Sequence, residues 1–378
     1  MPSVTIIGAG PAGAAAALML ARNSWSVRIV EAHDFPRHKV CGECLSSLGI
    51  EVVDRLGLRG QMETAGANRI EGASVSAADG SVLRVELPCA MWGVSRWVLD
   101  ELLLRAACSA GAMLRRRSRC EAIGPSSPSP GTPGEGGGEG EFDRPKVVVR
   151  RLSDNSIESW ESDWVLLADG KGALLGNRRQ PTGDLGVKAH FAGVGGRRDT
   201  VELFGVHGHY VGVAAIEAGR WNLAMSVPAA LLHSWRGNLD ALFSRVLTQN
   251  PVLACRFAPA HRLTPWQVAP LPRFAVARSW PPRIIPLGNA AAALEPIGGE
   301  GIGLALRSAE LAAEALTGGM DIAALPKAFN DLWQTRRLAC RAAAWIVSRP
   351  RLAGPAVEWA AASPHLTNSA LGWIGKRG

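Results

Sequence analysis

Val4-Thr5-Ile6-Ile7-Gly8-Ala9-Gly10-Pro11-Ala12-Gly13 decides the fold of this chain. Four β-branched residues read as a strand and run straight into a G-x-G-x-x-G turn. Ala14 to Ala21, small and long aliphatic residues, reads as the helix that follows. Each glycine has its own task. Gly8 permits the tight turn, Gly10 lets a diphosphate approach the backbone, and Gly13 lets helix and strand pack closely. Pro11 and Ala12 complete the turn, and the helix N-terminus directs free N–H groups at phosphate oxygens. A second strand, Val27-Arg28-Ile29-Val30, ends in Glu31. An acid roughly 20 residues past the glycines is placed to accept hydrogen bonds from an adenosine ribose. The stretch therefore predicts dinucleotide binding on a Rossmann-type α/β unit.

The 378 residues leave room for that unit and an inserted sheet. Apolar residues make up 47% of the chain, enough for a sizeable core, and the net charge is +8. That charge reads either as an Arg-rich solvated surface or as attraction to anionic ligands or membranes. No basic run is interleaved with aromatics as nucleic-acid binding would require. Seven scattered cysteines suit reduced thiols and predict a cytoplasmic location. No stretch reaches the ~20 apolar residues of a membrane span.

Farther along, Phe35-Pro36-Arg37-His38-Lys39-Val40-Cys41-Gly42-Glu43-Cys44 reads as a polar loop, followed by a helix over Ser46 to Leu56. Arg69 to Leu87 alternates around Asp79-Gly80 and predicts a hairpin. Arg96 to Ala110 reads as a helix that Gly111 stops. Gly124 to Pro145 is rich in Pro, Gly and Ser and has almost nothing apolar to bury. It is expected to be a disordered, dispensable insertion in a hairpin loop, with Cys120 to Ile123 and Lys146 to Leu152 pairing across it. Asp163 to Leu167 is a strand leading to Ala168-Asp169-Gly170, and Leu185 to Val227 reads as a mostly antiparallel sheet. Leu231 to Leu247 reads as one helix and His261 to Val268 as a return strand. Arg283 to Pro286 feeds Gly288-Asn289 and then Pro296-Ile297-Gly298-Gly299-Glu300-Gly301-Ile302-Gly303, after which a long helix runs to Leu316.

The turn with Glu31, the Ala168-Asp169-Gly170 loop and the Gly288 to Gly303 stretch occur together as in one group of flavoproteins. Over roughly residues 1 to 320 the chain resembles the FAD-dependent oxidoreductases that include geranylgeranyl reductases and para-hydroxybenzoate hydroxylase-type monooxygenases. The resemblance implies a discontinuous FAD-binding domain (1–75, 95–180 and 275–318), a substrate domain (76–94 and 181–274) and a C-terminal helical segment (319–378). It implies FAD as cofactor and NAD(P)H as a transient reductant. Asp169 and Gly170 would lie against the nucleotide, and Arg37, Lys39 and Arg96 belong with the cofactor-binding set. Asn289 stands where the group usually has an Asp on the ribityl chain. Pro296, Gly298, Gly299, Gly301 and Ile302 would lie against the isoalloxazine.

Gly-Asn-Ala-Ala followed by Pro and Gly-Glu-Gly-Ile is similar to the geranylgeranyl reductase branch, as is the loop Lys39 to Glu43. Tyr210-Val211-Gly212 departs from it, with Gly where archaeal members carry Trp. The Trp-x-Trp-x-Ile-Pro signature of flavin halogenases is absent. The substrate is expected to be a hydrophobic small molecule that is either reduced at a double bond or hydroxylated. A flavin-binding protein without turnover is the third reading.

Three residues are candidates for catalysis: Cys41, in the cavity or as a redox partner of Cys44, and His209 and Tyr210 for proton transfer. His207 and His209 are expected to share one strand face. Cys41-x-x-Cys44 lacks the second ligand pair of a zinc site, so no metal is expected. Trp92, Trp97, Trp160, Trp164 and the C-terminal tryptophans are expected in the core. Arg336, Arg337, Arg341, Arg349 and Arg351 accompany Trp333, Trp345, Trp359 and Trp373, which suits either a cap on the FAD domain or a membrane-surface contact.

Overall fold

The computed structural model describes residues 1–125, 144–170, 174, 183–272, 276 and 280–363. The chain opens with β1 (Ser3–Ile7), α1 (Pro11–Arg22), β2 (Ser26–Val30), β3 (Cys44–Leu45), α2 (Ser47–Arg55) and α3 (Arg59–Thr64). A long hairpin follows, β4 (Asn68–Ser76) and β5 (Val82–Gly93), then α4 (Arg96–Ser109), β6 (Met113–Arg115), β7 (Ser118–Pro125), β8 (Pro145–Arg151), β9 (Ile157–Glu161) and β10 (Trp164–Leu167). The second half starts with β11 (Asp184–Ala192), β12 (Thr200–Val206), β13 (His209–Ala215) and β14 (Trp221–Pro228). It continues with α5 (Ala229–Ser234), α6 (Leu239–Leu247), α7 (Pro251–Phe257), β15 (His261–Arg262), β16 (Gln267–Pro270) and β17 (Ile284–Pro286). Three helices end it: α8 (Gly301–Leu316), α9 (Leu325–Val347) and α10 (Pro350–Ala362).

A parallel sheet in the order β17-β10-β1-β2-β6 forms the first layer. Its central strand β1 is buried on both faces, as its unbroken β-branched run requires. Helices α1, α4 and α8 cover one face; the small sheet β7-β8-β9 covers the other through Cys120, Val147 and Val149. Strands β7 and β8 pair antiparallel from Ser118/Arg151 to Pro125/Pro145. The insertion expected between them falls largely on 126–143, outside the described residues.

The second layer is a mixed sheet in the order β15-β11-β14-β13-β12-β4-β5-β3, with β16 also on β11. Its outer face packs on α5, α6 and α7 through Phe191, Phe243, Phe257 and Trp266. Both strands of the first hairpin lie in this sheet, and so does β3. The chain thus enters the sheet at Cys44 and again at Asn68, earlier than the expected boundary at 76.

Four local expectations are corrected. Leu231 to Leu247 is two helices, because Gly237 takes a left-handed φ of +75° and Asn238 starts α6 by accepting the Ala241 N–H. The return strand is two short pieces on β11. His207 lies in the β12–β13 turn and not on a strand face with His209. Trp92 and Trp333 are buried, but Trp97, Trp345 and Trp359 are exposed. Trp373 lies outside the described residues.

Candidate functional site

The glycine turn is built by contact. A Cβ on Gly13 would stand 1.9 Å from the Gly8 carbonyl oxygen. One on Gly8, at φ +103°, would stand 2.5 Å from Ala168 O. Any side chain at either place would force strand and helix apart. Gly10 is different: its Cβ would meet only the Arg96 guanidinium, at 3.6 Å, because it faces a cavity. No side chain caps α1, so its first N–H groups are available to an anion. Glu31 closes β2 and is buried; its two carboxylate oxygens accept from the Ala9 and His33 N–H groups, both at 2.8 Å.

Cations gather at this turn. Arg96 is buried and makes two bonds to Asp100, at 2.6 and 2.5 Å. The Lys39 ammonium sits 3.4 Å from where a Gly170 Cβ would be. Burial, then the charges of Arg96 and Arg37, pull the Lys39 pKa down to about 8. The buried Arg37 Nε has no hydrogen-bond partner among the described residues. A diphosphate would relieve this excess of positive charge, and with the uncapped helix and open Gly10 the site fits FAD.

The second end of the cavity is the turn before α8. Asn289 reaches it from the turn after β17, and Pro296, Gly298, Gly299, Gly301 and Ile302 also line it. Gly299 needs its left-handed φ of +66°, and a Cβ on Gly301 would meet no protein atom. Gly303 does not share this place. Its Cβ would strike Ser46 Oγ at 2.2 Å and the Gly49 backbone at 3.0 Å, so it is the contact that lets α8 cross α2. Behind the turn, burial raises the Glu300 carboxyl to about 7, against the pull of Arg336 3.9 Å away.

Between the two ends lies a cavity of about 440 Å³. Beyond the glycines its walls are apolar: Val75, Val85 and Leu87 from the first hairpin, Leu203 and Val213 from β12 and β13, and Val347 from α9. Tyr210 faces it and donates from its hydroxyl to Glu295 Oε1 at 2.7 Å. Burial, then Glu295, holds the Tyr210 pKa well above its usual value, so the phenol keeps its proton. Gly212, two residues on, leaves open the space a Trp would fill.

Cys41 and Cys44 both line the cavity as free thiols. Burial, then Cys41 and Glu43, pushes Cys44 up to about 12, which makes its thiol inert near neutrality. The loop that carries them is held from below. Glu43, fully buried and left-handed at φ +57°, accepts from Lys188 Nζ, from the Arg96 N–H at 2.8 Å and pairs with His190 Nε2 at 2.6 Å. Burial alone would raise its pKa; His190 and Lys188 hold it below the carboxylate range instead. Asn222 adds bonds to the Cys41 and Gly42 carbonyls, at 3.1 and 2.9 Å.

The cavity wall thus includes Gly10, Pro11, Ala12, Lys39, Cys41 and Arg96 from the first third of the chain. Gly170, Tyr210, Asn289 and the turn before α8 join them. Gly8, Gly13, Glu31, Arg37 and Asp169 do not line it. His209 is a correction: it is buried at the start of β13, its Nδ1 3.0 Å from His207 O, and it does not line the cavity. Sequence reasoning missed the triad of Glu43, Lys188 and His190. Lys188 and His190 do sit in the alternation of β11, where two polar residues occupy inward positions.

Residues 1–126 match the model of the FAD binding domain family. The first third of the chain thus carries an FAD-binding domain, and the chain is an FAD-dependent oxidoreductase. Over 365 residues it is 24% identical to conditioned medium factor receptor 1 of Dictyostelium discoideum, covering 88% of this chain and 67% of that one. It is 33% identical over 113 residues to the menaquinone reductase of Mycolicibacterium smegmatis. That match covers 29% of this oxidoreductase and 28% of the reductase, so it speaks for the cofactor domain alone. In fold it is similar to the flavin-dependent brominase Bmp2, with TM-score 0.77 and 21% identity over 98% of this chain and 92% of that one. A geranylgeranyl bacteriochlorophyll reductase-like protein from Thermoplasma acidophilum gives TM-score 0.73 and 16% identity, covering 100% and 97%.

Proposed function

We propose that this oxidoreductase reduces a carbon–carbon double bond in an elongated hydrophobic substrate, with NAD(P)H as the source of electrons. The observation that carries the reading is the cavity, in which the glycine cradles and an apolar arm are one continuous space. FAD held by Gly10, Glu31, Lys39, Arg96 and the Gly299–Gly301 turn would supply two-electron chemistry that side chains lack. The chain's own residues bind and orient. The apolar arm takes a hydrocarbon and excludes water. Reduction of a double bond also needs a proton on carbon; the Tyr210 hydroxyl would deliver one by turning from Glu295 Oε1, on which its proton rests, toward the cavity that the ring lines. The reductase-named relative and the geranylgeranyl reductase-like fold neighbour support this reading. Hydroxylation is the second reading, favoured by the likeness to the brominase, a protein named for flavin-dependent chemistry.

The test is anaerobic turnover with NADH or NADPH and the lipid extract that co-purifies with the yellow protein. Product two mass units heavier, formed without oxygen, is expected. NAD(P)H consumption that requires oxygen and adds sixteen mass units would replace reduction with hydroxylation.

A further inference from the structure

Helix α9 is apolar on two sides. Its inner side brings Cys340, Ala343 and Val347 to the cavity. Its outer side leaves Leu338 75% and Trp345 54% exposed, seven residues apart and therefore on one stripe. Helix α10 repeats the pattern with Leu352 and Trp359, again seven apart, and Trp359 is 60% exposed. A large side chain left in water twice on each of two adjoining helices is a surface without a partner among the described residues.

The charge around it is predominantly positive. From Leu338 to Ala362 the chain has three arginines, Arg341, Arg349 and Arg351, all exposed, against the single acid Glu358. The Arg349 guanidinium lies over the Trp345 ring at 4.3 Å, so cation and indole are presented together. The elbow between the helices is seated firmly. A Cβ on Gly205 would come within 2.4 Å of the Val347 carbonyl, and the Gly208 N–H donates to Ser348 O at 3.0 Å. No helix among the described residues is long and apolar enough to cross a membrane.

We infer that the outer faces of α9 and α10 dock on an anionic lipid surface. Tryptophan and leucine enter the headgroup boundary, while the arginines meet lipid phosphates. A second copy of the chain is a poorer occupant, because it would set the same three arginines against one another. The inference is independent of the reaction proposed above. It does place the apolar cavity one helix thickness from the bilayer, where a lipid-soluble substrate is concentrated.

The experiment is flotation of the FAD-loaded protein with vesicles of phosphatidylcholine alone or mixed with phosphatidylglycerol. The wild type is expected to float with the mixed vesicles, to stay behind with neutral ones, and to be released by high salt. Trp345→Glu with Trp359→Glu should cut the floated fraction at least tenfold, with flavin content and melting temperature unchanged. Replacing Arg341, Arg349 and Arg351 by Gln should do the same. Failure of the wild type to bind the mixed vesicles at low salt overturns the inference. So does equal flotation of the variants, or a concentration-dependent dimer in solution that Trp345→Glu dissociates.

Discussion

Glu31 ties β2 to the glycine turn, and in the proposed site it would also hold the cofactor. Its carboxylate is fixed by the Ala9 and His33 N–H groups before any ligand arrives. Glu31→Ala should therefore weaken FAD by about 1–3 kcal/mol, the range for a buried group that loses its partner. Fluorescence titration of the apoprotein measures it; unchanged affinity would remove Glu31 from the site. Gly301→Val adds a side chain where no protein atom stands, so folding should survive while FAD binding falls. An equilibrium titration next to a melting curve separates the two effects. Gly212→Trp should keep FAD and lose long substrates. These glycines could be read from sequence because a backbone that must approach something closely leaves only one residue type. Glu43 could not, since Lys188 and His190 lie about 145 residues away and no spacing rule joins them.

Among elements, the crossing of α2 and α8 gives a sharp contrast with the neighbouring turn. Gly303→Val would press on Ser46 and on the Gly49 backbone, which cannot yield as a flexible side chain does. Overpacking of this kind costs about 1–3 kcal/mol and should show as a lowered denaturation midpoint, whereas Gly301→Val leaves the midpoint in place. The loop from Lys39 to Cys44 rests on the Glu43 triad. Lys188→Met leaves a buried carboxylate with one charged partner fewer, and a loss of about 3–5 kcal/mol is expected. A midpoint unchanged in guanidinium would show the triad to be dispensable. The sequence revealed most elements near their true ends, because period and glycine stops are local. It failed at 235–238, where one left-handed glycine divides an otherwise continuous apolar pattern, and at the sheet boundary, where β4 reads equally well in either layer.

For the whole molecule, stability against pH carries two opposed signatures. The Glu300 carboxyl titrates near 7 in the folded chain and near 4.5 when unfolded, so the folded state holds the extra proton between those values. Its contribution is full below pH 4.5 and is lost as pH rises through 7. Glu300→Gln removes that loss. The variant should gain roughly 3 kcal/mol on the wild type between pH 4 and pH 8, at 1.36 kcal/mol for each pKa unit. Half-buried His38 and buried His209 act in the other direction. Burial first, then His190 for His38, lowers their pKa values, so the unfolded chain takes up protons near 6.5 before the folded one does. Their share of stability is lost as pH falls below that value. Chemical denaturation of both proteins at five pH values would resolve the two; parallel profiles would show that Glu300 is not strained by its surroundings.

The order β17-β10-β1-β2-β6 also sets a timetable for biogenesis. β1 is made first but is flanked by β10, whose first residue is 164, and the sheet ends at β17, completed only at Pro286. At about 5–20 residues per second, the ribosome needs roughly 15–60 s to pass from one to the other. β1 shows an unpaired edge until Leu167 is made, and from then until Pro286 the open edge is that of β10, whose four residues are all apolar. A message truncated before codon 286 should yield a product held by chaperones or proteases, while one ending beyond the sheet can acquire flavin. Pulse-labelled nascent chains of graded length, probed with protease in the presence of FAD, would show where that competence begins.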